Sequence, residues 1–136
     1  MKANTYLYFN GDCEEAFKFY EKAIGAKILV LMPYEGTPAE SQGPPEWKNK
    51  IIHGRLQLAD TILYGSDGTP AQQSQSGGFS ICLHGETPEE AERLYNALKD
   101  GGNVIMPIEE TFFAHRFAML KDKFGTPWMV ICEKQM

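Results

Sequence analysis

The sequence predicts an α+β fold built from one βαβββ module written twice, and three observations point to it. The stretch "GDCEEAFKFY" at 11–20 returns as "GETPEEAERLY" at 85–95: Ala16 to Ala91 and Tyr20 to Tyr95 are each 75 positions apart, and Met32-Pro33 to Met106-Pro107 is 74. Each of these segments lies between short runs rich in β-branched and aromatic residues. His53 precedes Asp60 by seven residues and His115 precedes Asp122 by seven, so the repeat continues past the helices into the strands. Self-similarity at this period decides architecture before any single residue does. At 136 residues the chain has the length of one domain, 1–136, read as a first module over 1–67, a connection over 68–78 and a second module over 79–136.

The first element is a strand over "TYLYF" (5–9). The helix after it is amphipathic: Ala16, Phe17, Tyr20, Ala23 and Ile24 form one stripe, Asp12 and Glu15 have the spacing of a capping box, and Gly25 is a stop signal. "AKILVLM" (26–32) is the next strand, and "IIHGRLQL" (51–58) and "TILY" (61–64) form a pair joined at Ala59-Asp60. The second copy repeats the order. "FSICL" (79–83) precedes a helix in which Thr87 caps, Pro88 takes the first position, Glu90 completes the box, and Ala91, Leu94, Tyr95 and Leu98 form the stripe. "NVIMPI" (103–108), "HRFAML" (115–120) and "PWMVIC" (127–132) complete the module.

Two segments, 34–49 and 66–78, are rich in Gly, Pro, Ser and Gln and read as loops. The first belongs to copy one only. A loop of this length is either a lid over a site or a surface excursion whose Trp47 packs down on the nearest strand.

Composition excludes several functions. A formal net charge of −5 argues against nucleic acid or an acidic membrane as partner, since both demand clustered Lys and Arg. No apolar run approaches the roughly 18 residues of a membrane span, and the N-terminus lacks the pattern of a secretory signal, which leads us to expect a cytoplasmic protein. Cys13, Cys82 and Cys132 show no C-x-x-C spacing, so buried thiols are expected rather than a disulfide framework or a zinc knuckle. No Walker loop, no G-x-G-x-x-G after a strand and no G-x-S-x-G is present.

Read in order, "YLYFNGDCEEAFKFY", "IIHGRLQLADTILYGSD" and "EETFFAHRFAMLKDKFGTPWM" resemble the vicinal oxygen chelate superfamily of glyoxalases, extradiol dioxygenases and bleomycin-resistance proteins, and more closely its PhnB-like branch. The resemblance implies that each module forms a half-open, four-stranded cup, that the cups share a cavity, and that chains pair as homodimers. In metal-dependent members the ligands are His or Gln on the first strand of each module and Glu on the fourth. Here the matching positions hold Thr5 or Tyr6, Leu63 or Tyr64, Phe79, and Met129. These side chains do not make the set of hard oxygen and imidazole donors that a Lewis-acid centre needs. No cofactor and no metal at the usual positions is therefore expected, with a divalent metal at non-standard positions left open. Some relatives carry a methyltransferase label, but a methyl-donor nucleotide commonly needs a Gly-rich turn in an α/β sheet, and the sequence offers neither.

The expected function is binding of a small, partly apolar molecule, with Tyr6, Phe9, His53, Phe79, Phe113, Trp128 and Met129, together with Leu7, as lining. The alternative is a lyase, isomerase or dioxygenase type of enzyme. For it, His115 is the candidate proton carrier and Glu110, five residues earlier, the carboxylate that orients it. His53 and His115 sit at matching places in the repeat and are either strand anchors or proton-transfer groups; His84 is expected at the surface. Asp67 reads as a turn residue.

Overall fold

The structure is a computed structural model that describes residues 1–69 and 77–135. The chain divides into two compact units, Met1–Ser74 and Gln75–Met136. The connection expected over 68–78 falls mostly, at 70–76, outside the described residues. Among the described residues no helix is long and apolar enough to cross a membrane.

The first unit contains β1 (Tyr6–Phe9), α1 (Cys13–Ile24), β2 (Lys27–Pro33), β3 (Ile51–Leu58) and β4 (Thr61–Asp67). Its sheet has the order β1-β4-β3-β2, with β1 parallel to β4 and the other pairs antiparallel. The second unit repeats this with β5 (Ile81–His84), α2 (Pro88–Leu98), β6 (Asn103–Glu109), β7 (Ala114–Lys121) and β8 (Pro127–Glu133), in the order β5-β8-β7-β6. These tandem βαβββ units are the α+β architecture the repeat predicts.

In each unit one sheet face is covered by the helix. Phe17 and Tyr20 of α1 are fully buried, and the Phe17 ring meets Phe9 edge-on at 6.1 Å between centroids. Room for Phe17 comes from two glycines paired across β3 and β4: a Cβ on Gly65 would lie 2.9 Å from the Phe17 ring and one on Gly54 3.0 Å from it. Each buried aromatic of this kind contributes about 2–3 kcal/mol. In the second unit Ala91 and Leu98 of α2 are fully buried, as are Leu120, Trp128 and Val130 of the sheet.

The two helices start differently. Thr87 caps α2 as expected, its Oγ1 accepting from Glu90 N at 3.1 Å, while Glu90 reaches back to Glu86 N at 2.8 Å. The capping box expected at Asp12 and Glu15 does not form, and the Asp12 side chain makes no cap hydrogen bond. Asp67 at the end of β4 replaces it. Its Oδ1 accepts from Gly11 N at 3.0 Å and Cys13 N at 2.9 Å, and its Oδ2 from Ile51 N at 2.9 Å. Asp67 is 1% exposed and is a structural hub rather than the turn residue expected.

The loop at 34–49 is tied down at its base. The Tyr34 hydroxyl donates to the Asp67 carbonyl at 2.6 Å, and burial, with Asp67 and Tyr6 adding to it, pushes this phenol up so that it stays a donor. Trp47 packs over Gly11, where an added Cβ would sit 3.1 Å from its ring, and Lys50 lies 5.8 Å from the ring centre.

Candidate functional site

Alternation along β1 decides what the first unit exposes. Leu7 and Phe9 are buried against α1, while Tyr6 and Tyr8 point to the opposite face, 37% and 64% exposed. Register extends the pattern: Tyr6 pairs with Tyr64 and Tyr64 with Arg55, so these three share the uncovered face, and His53, two residues before Arg55, joins them. The Tyr6 hydroxyl and His53 Nδ1 share a hydrogen bond of 3.2 Å. Tyr6 stacks on Tyr64 with 6.1 Å between ring centres and an interplanar angle of 9°, His53 lies 5.6 Å from Tyr64, and Tyr8 lies 5.1 Å from Tyr6. Four rings thus form one polar aromatic surface. Their phenol and imidazole edges can donate or accept, and their faces can stack on a planar ligand.

The face of the second unit's sheet that lies away from α2 is apolar. Ala114, Phe117 and Ile131 form its buried cluster, with Phe113, Met119 and Met129 packed against them. Toward the edge strand lie Cys82, His84 and Glu133, with Cys82 Sγ 3.6 Å from His84 Nε2 and His84 Nδ1 3.6 Å from Glu133 Oε1.

The expected lining residues therefore separate. Tyr6 and His53 come together, and Phe113 and Met129 pack against the apolar cluster on the second sheet's face away from α2. Leu7, Phe9 and Trp128 are helix-side core instead. Trp128 is fully buried and donates its Nε1 to Asp122 Oδ2 at 2.9 Å. Apolar character alone cannot separate a lining residue from a core residue, because both sheet faces draw on the same residue types. Phe79 precedes β5 and is 46% exposed. The residues missed were Tyr8, Tyr64 and Arg55, and strict alternation in "TYLYF" was the signal for the first.

The β6–β7 hairpin brings Glu110 near His115 but gives its carboxylate to another partner. Lys134 Nζ lies 2.7 Å from Glu110 Oε2. That ammonium holds the Glu110 carboxyl below its usual range, and His115 and Arg116 contribute less in the same direction. His115 itself is exposed, where the β7 ladder slips register between Ala114 and Arg116.

Among the described residues no three His, Cys, Asp or Glu side chains converge to hold a metal ion. Tyr6, Tyr64, Phe79 and Met129, at or beside the places where metal-dependent relatives carry ligands, do not make a donor set that fits one.

The sequence profile of the 3-demethylubiquinone-9 3-methyltransferase family matches residues 1–131. The chain belongs to this family. Its fold is shared with the glyoxylase/bleomycin resistance protein/dioxygenase domain from Frankia sp., which matches at 15% identity and a TM-score of 0.66 over 98% of each chain. The chain is 41% identical to protein PA1353 from Pseudomonas aeruginosa, whose crystal structure it matches with a TM-score of 0.88 over 99% of each chain. It is 31% identical to protein YjdN of Escherichia coli, over 99% of this chain and 97% of that protein. The PhnB protein from Bacillus cereus matches at 25% identity and a TM-score of 0.81, over 97% of this chain and 99% of the other.

Proposed function

We propose that the protein binds a small, partly apolar, oxygen-bearing molecule, and that the face made by Tyr6, Tyr8, His53 and Tyr64 recognises it. The observation that carries this reading is the Tyr6–His53 hydrogen bond inside a stacked aromatic cluster on an uncovered sheet face. Four polar rings, stacked or tilted against one another on this face, offer a planar ligand both ring surfaces and hydrogen-bonding edges. Binding without a divalent metal is the preferred form, because the positions used by metal-dependent relatives carry phenols, a phenyl ring and a thioether. We take the working unit to be a homodimer, since each four-stranded sheet has open edges that a second copy can cover. The cytoplasm is the proposed location, in keeping with three free cysteines, Cys13, Cys82 and Cys132.

The experiment is a proton NMR screen of small aromatic acids and enones against the full chain, with Tyr6→Phe and His53→Gln as controls. Shifts confined to Tyr6, Tyr8, His53 and Tyr64, weakened about tenfold in affinity by either substitution, support the reading. Turnover of a hit that His115→Gln abolishes replaces binding by the proton-transfer alternative of His115 and Glu110. Stoichiometric zinc, nickel, manganese or iron after dialysis overturns the metal-free form.

A further inference from the structure

Cys82, His84 and Glu133 belong to neither helix-side core nor the aromatic face, and they line up in one row. Cys82 and His84 are two apart on β5 and so share a face, and β5 is an edge strand of its sheet. His84 pairs with Ile131 on β8, which places Glu133, two residues on, beside the imidazole. The carboxylate near Nδ1 favours the tautomer with its proton there, leaving the Nε2 lone pair toward the thiol 3.6 Å away. Cys13 and Cys132 are buried, whereas Cys82 is exposed.

We propose that Cys82 is a thiol–disulfide exchange site that takes a small disulfide, with His84 as proton acceptor and Glu133 positioning the imidazole. The Cys82 sulfur attacks one sulfur of the disulfide and its proton passes to His84 Nε2. A new S–S bond joins Cys82 to half of the reagent while the original S–S bond breaks. The other half leaves as a thiolate and recovers the proton from His84. A second free thiol reverses the sequence, so no outside oxidant is needed. The base is required here: burial, and after it the Glu133 charge, push the Cys82 thiol up, so deprotonation without an acceptor is disfavoured. Among the described residues, the titratable groups that face the thiol are His84 on its own strand and Glu133 on β8. The β8 residues in register with Cys82 and His84, Met129 and Ile131, are uncharged, as are Phe117 and Met119 on β7.

The test is the rate of mixed-disulfide formation between the full chain and oxidised glutathione, followed by intact mass and peptide mapping from pH 5 to 9. One adduct is expected, on Cys82 and absent in Cys82→Ser. His84→Gln should slow it about tenfold at pH 7, and Glu133→Gln should move the midpoint of the pH profile downward. Both substituted side chains are surface-exposed, and circular dichroism checks that the variants are folded. An adduct on Cys13 or Cys132 instead, or none on any cysteine of the unmodified chain, overturns the proposal, as does an unchanged rate in His84→Gln. An unchanged midpoint in Glu133→Gln removes Glu133 from it.

Discussion

In the first unit the sheet face away from the helix carries three phenols and an imidazole; in the second it carries phenyl, thioether and aliphatic groups, with a thiol and an imidazole at the edge. The same contrast runs through the polar anchors. Asp67 gathers backbone donors from 54 and 56 residues away and joins the start of α1 to the start of β3. Asp122, in the β7–β8 turn, accepts from Phe124 N at 2.8 Å, Thr126 N at 3.1 Å and the Trp128 indole, all within six residues. Its counterpart by repeat position, Asp60, is exposed. Two copies of one module have therefore kept strand order and helix placement while moving the buried carboxylate. Backbone architecture tolerates such relocation, because any acceptor that meets the orphan N–H groups serves equally well.

Replacing each anchor is the strongest way to test this contrast. Asp67→Ala leaves three backbone donors without their acceptor and is expected to cost about 4 kcal/mol, read as a lowered urea midpoint. Asp122→Ala is expected to cost about 2 kcal/mol, since its turn can open locally to water. Equal losses would show that span along the chain does not matter.

Next in size is the glycine pair beneath Phe17. Gly65→Ala brings a methyl group within 2.9 Å of that ring and is expected to destabilise the chain by about 2 kcal/mol. Combining it with Phe17→Leu should cost less than the sum of the two changes, and strict additivity in a double-mutant cycle would break the steric account.

A smaller effect concerns Asp12. Burial, partly offset by its own backbone, and the Asp67 carboxylate raise its pKa above the ordinary value in the folded chain. The fold thus holds this proton more tightly than the unfolded chain does, so the site loses stability as pH rises through the raised pKa and costs nothing below the unfolded value. Asp12→Asn should stabilise the protein at pH 7 by a few tenths of a kcal/mol, the side chain being partly screened by solvent, and by nothing at pH 3. Parallel stability curves across that range would contradict the sign.

Smallest is Trp47→Phe. The indole nitrogen of Trp47 is buried with no hydrogen-bond partner among the described residues, so its loss removes no bond and should change the urea midpoint by less than about 0.5 kcal/mol. Trp47→Ala, which uncovers Gly11, should cost several times more.

The fold was legible because its signals are local. Pro88, Thr87 and the stop at Gly25 mark helix ends through backbone chemistry within a few residues, and the repeat supplies the order. Lining residues were less legible. Leu7 and Phe9 are apolar enough for either sheet face, and only the side on which α1 packs assigns them. The Asp67 hub had no sequence signature, since its partners are main-chain groups whose identity no side chain reveals. Cys82 and His84 share a strand face by spacing alone, but Glu133 joins them only through the β5–β8 register.

The reach of the Asp67 carboxylate bears on the order in which the chain folds. Bonds that close within six residues can form at the entropy of a short loop, whereas those spanning more than fifty must wait until distant segments have met. The Asp122 turn is thus suited to an early nucleus in the second unit, and the Asp67 hub locks the first unit late. Loss of Asp122 should slow refolding, while loss of Asp67 should act mainly by hastening unfolding.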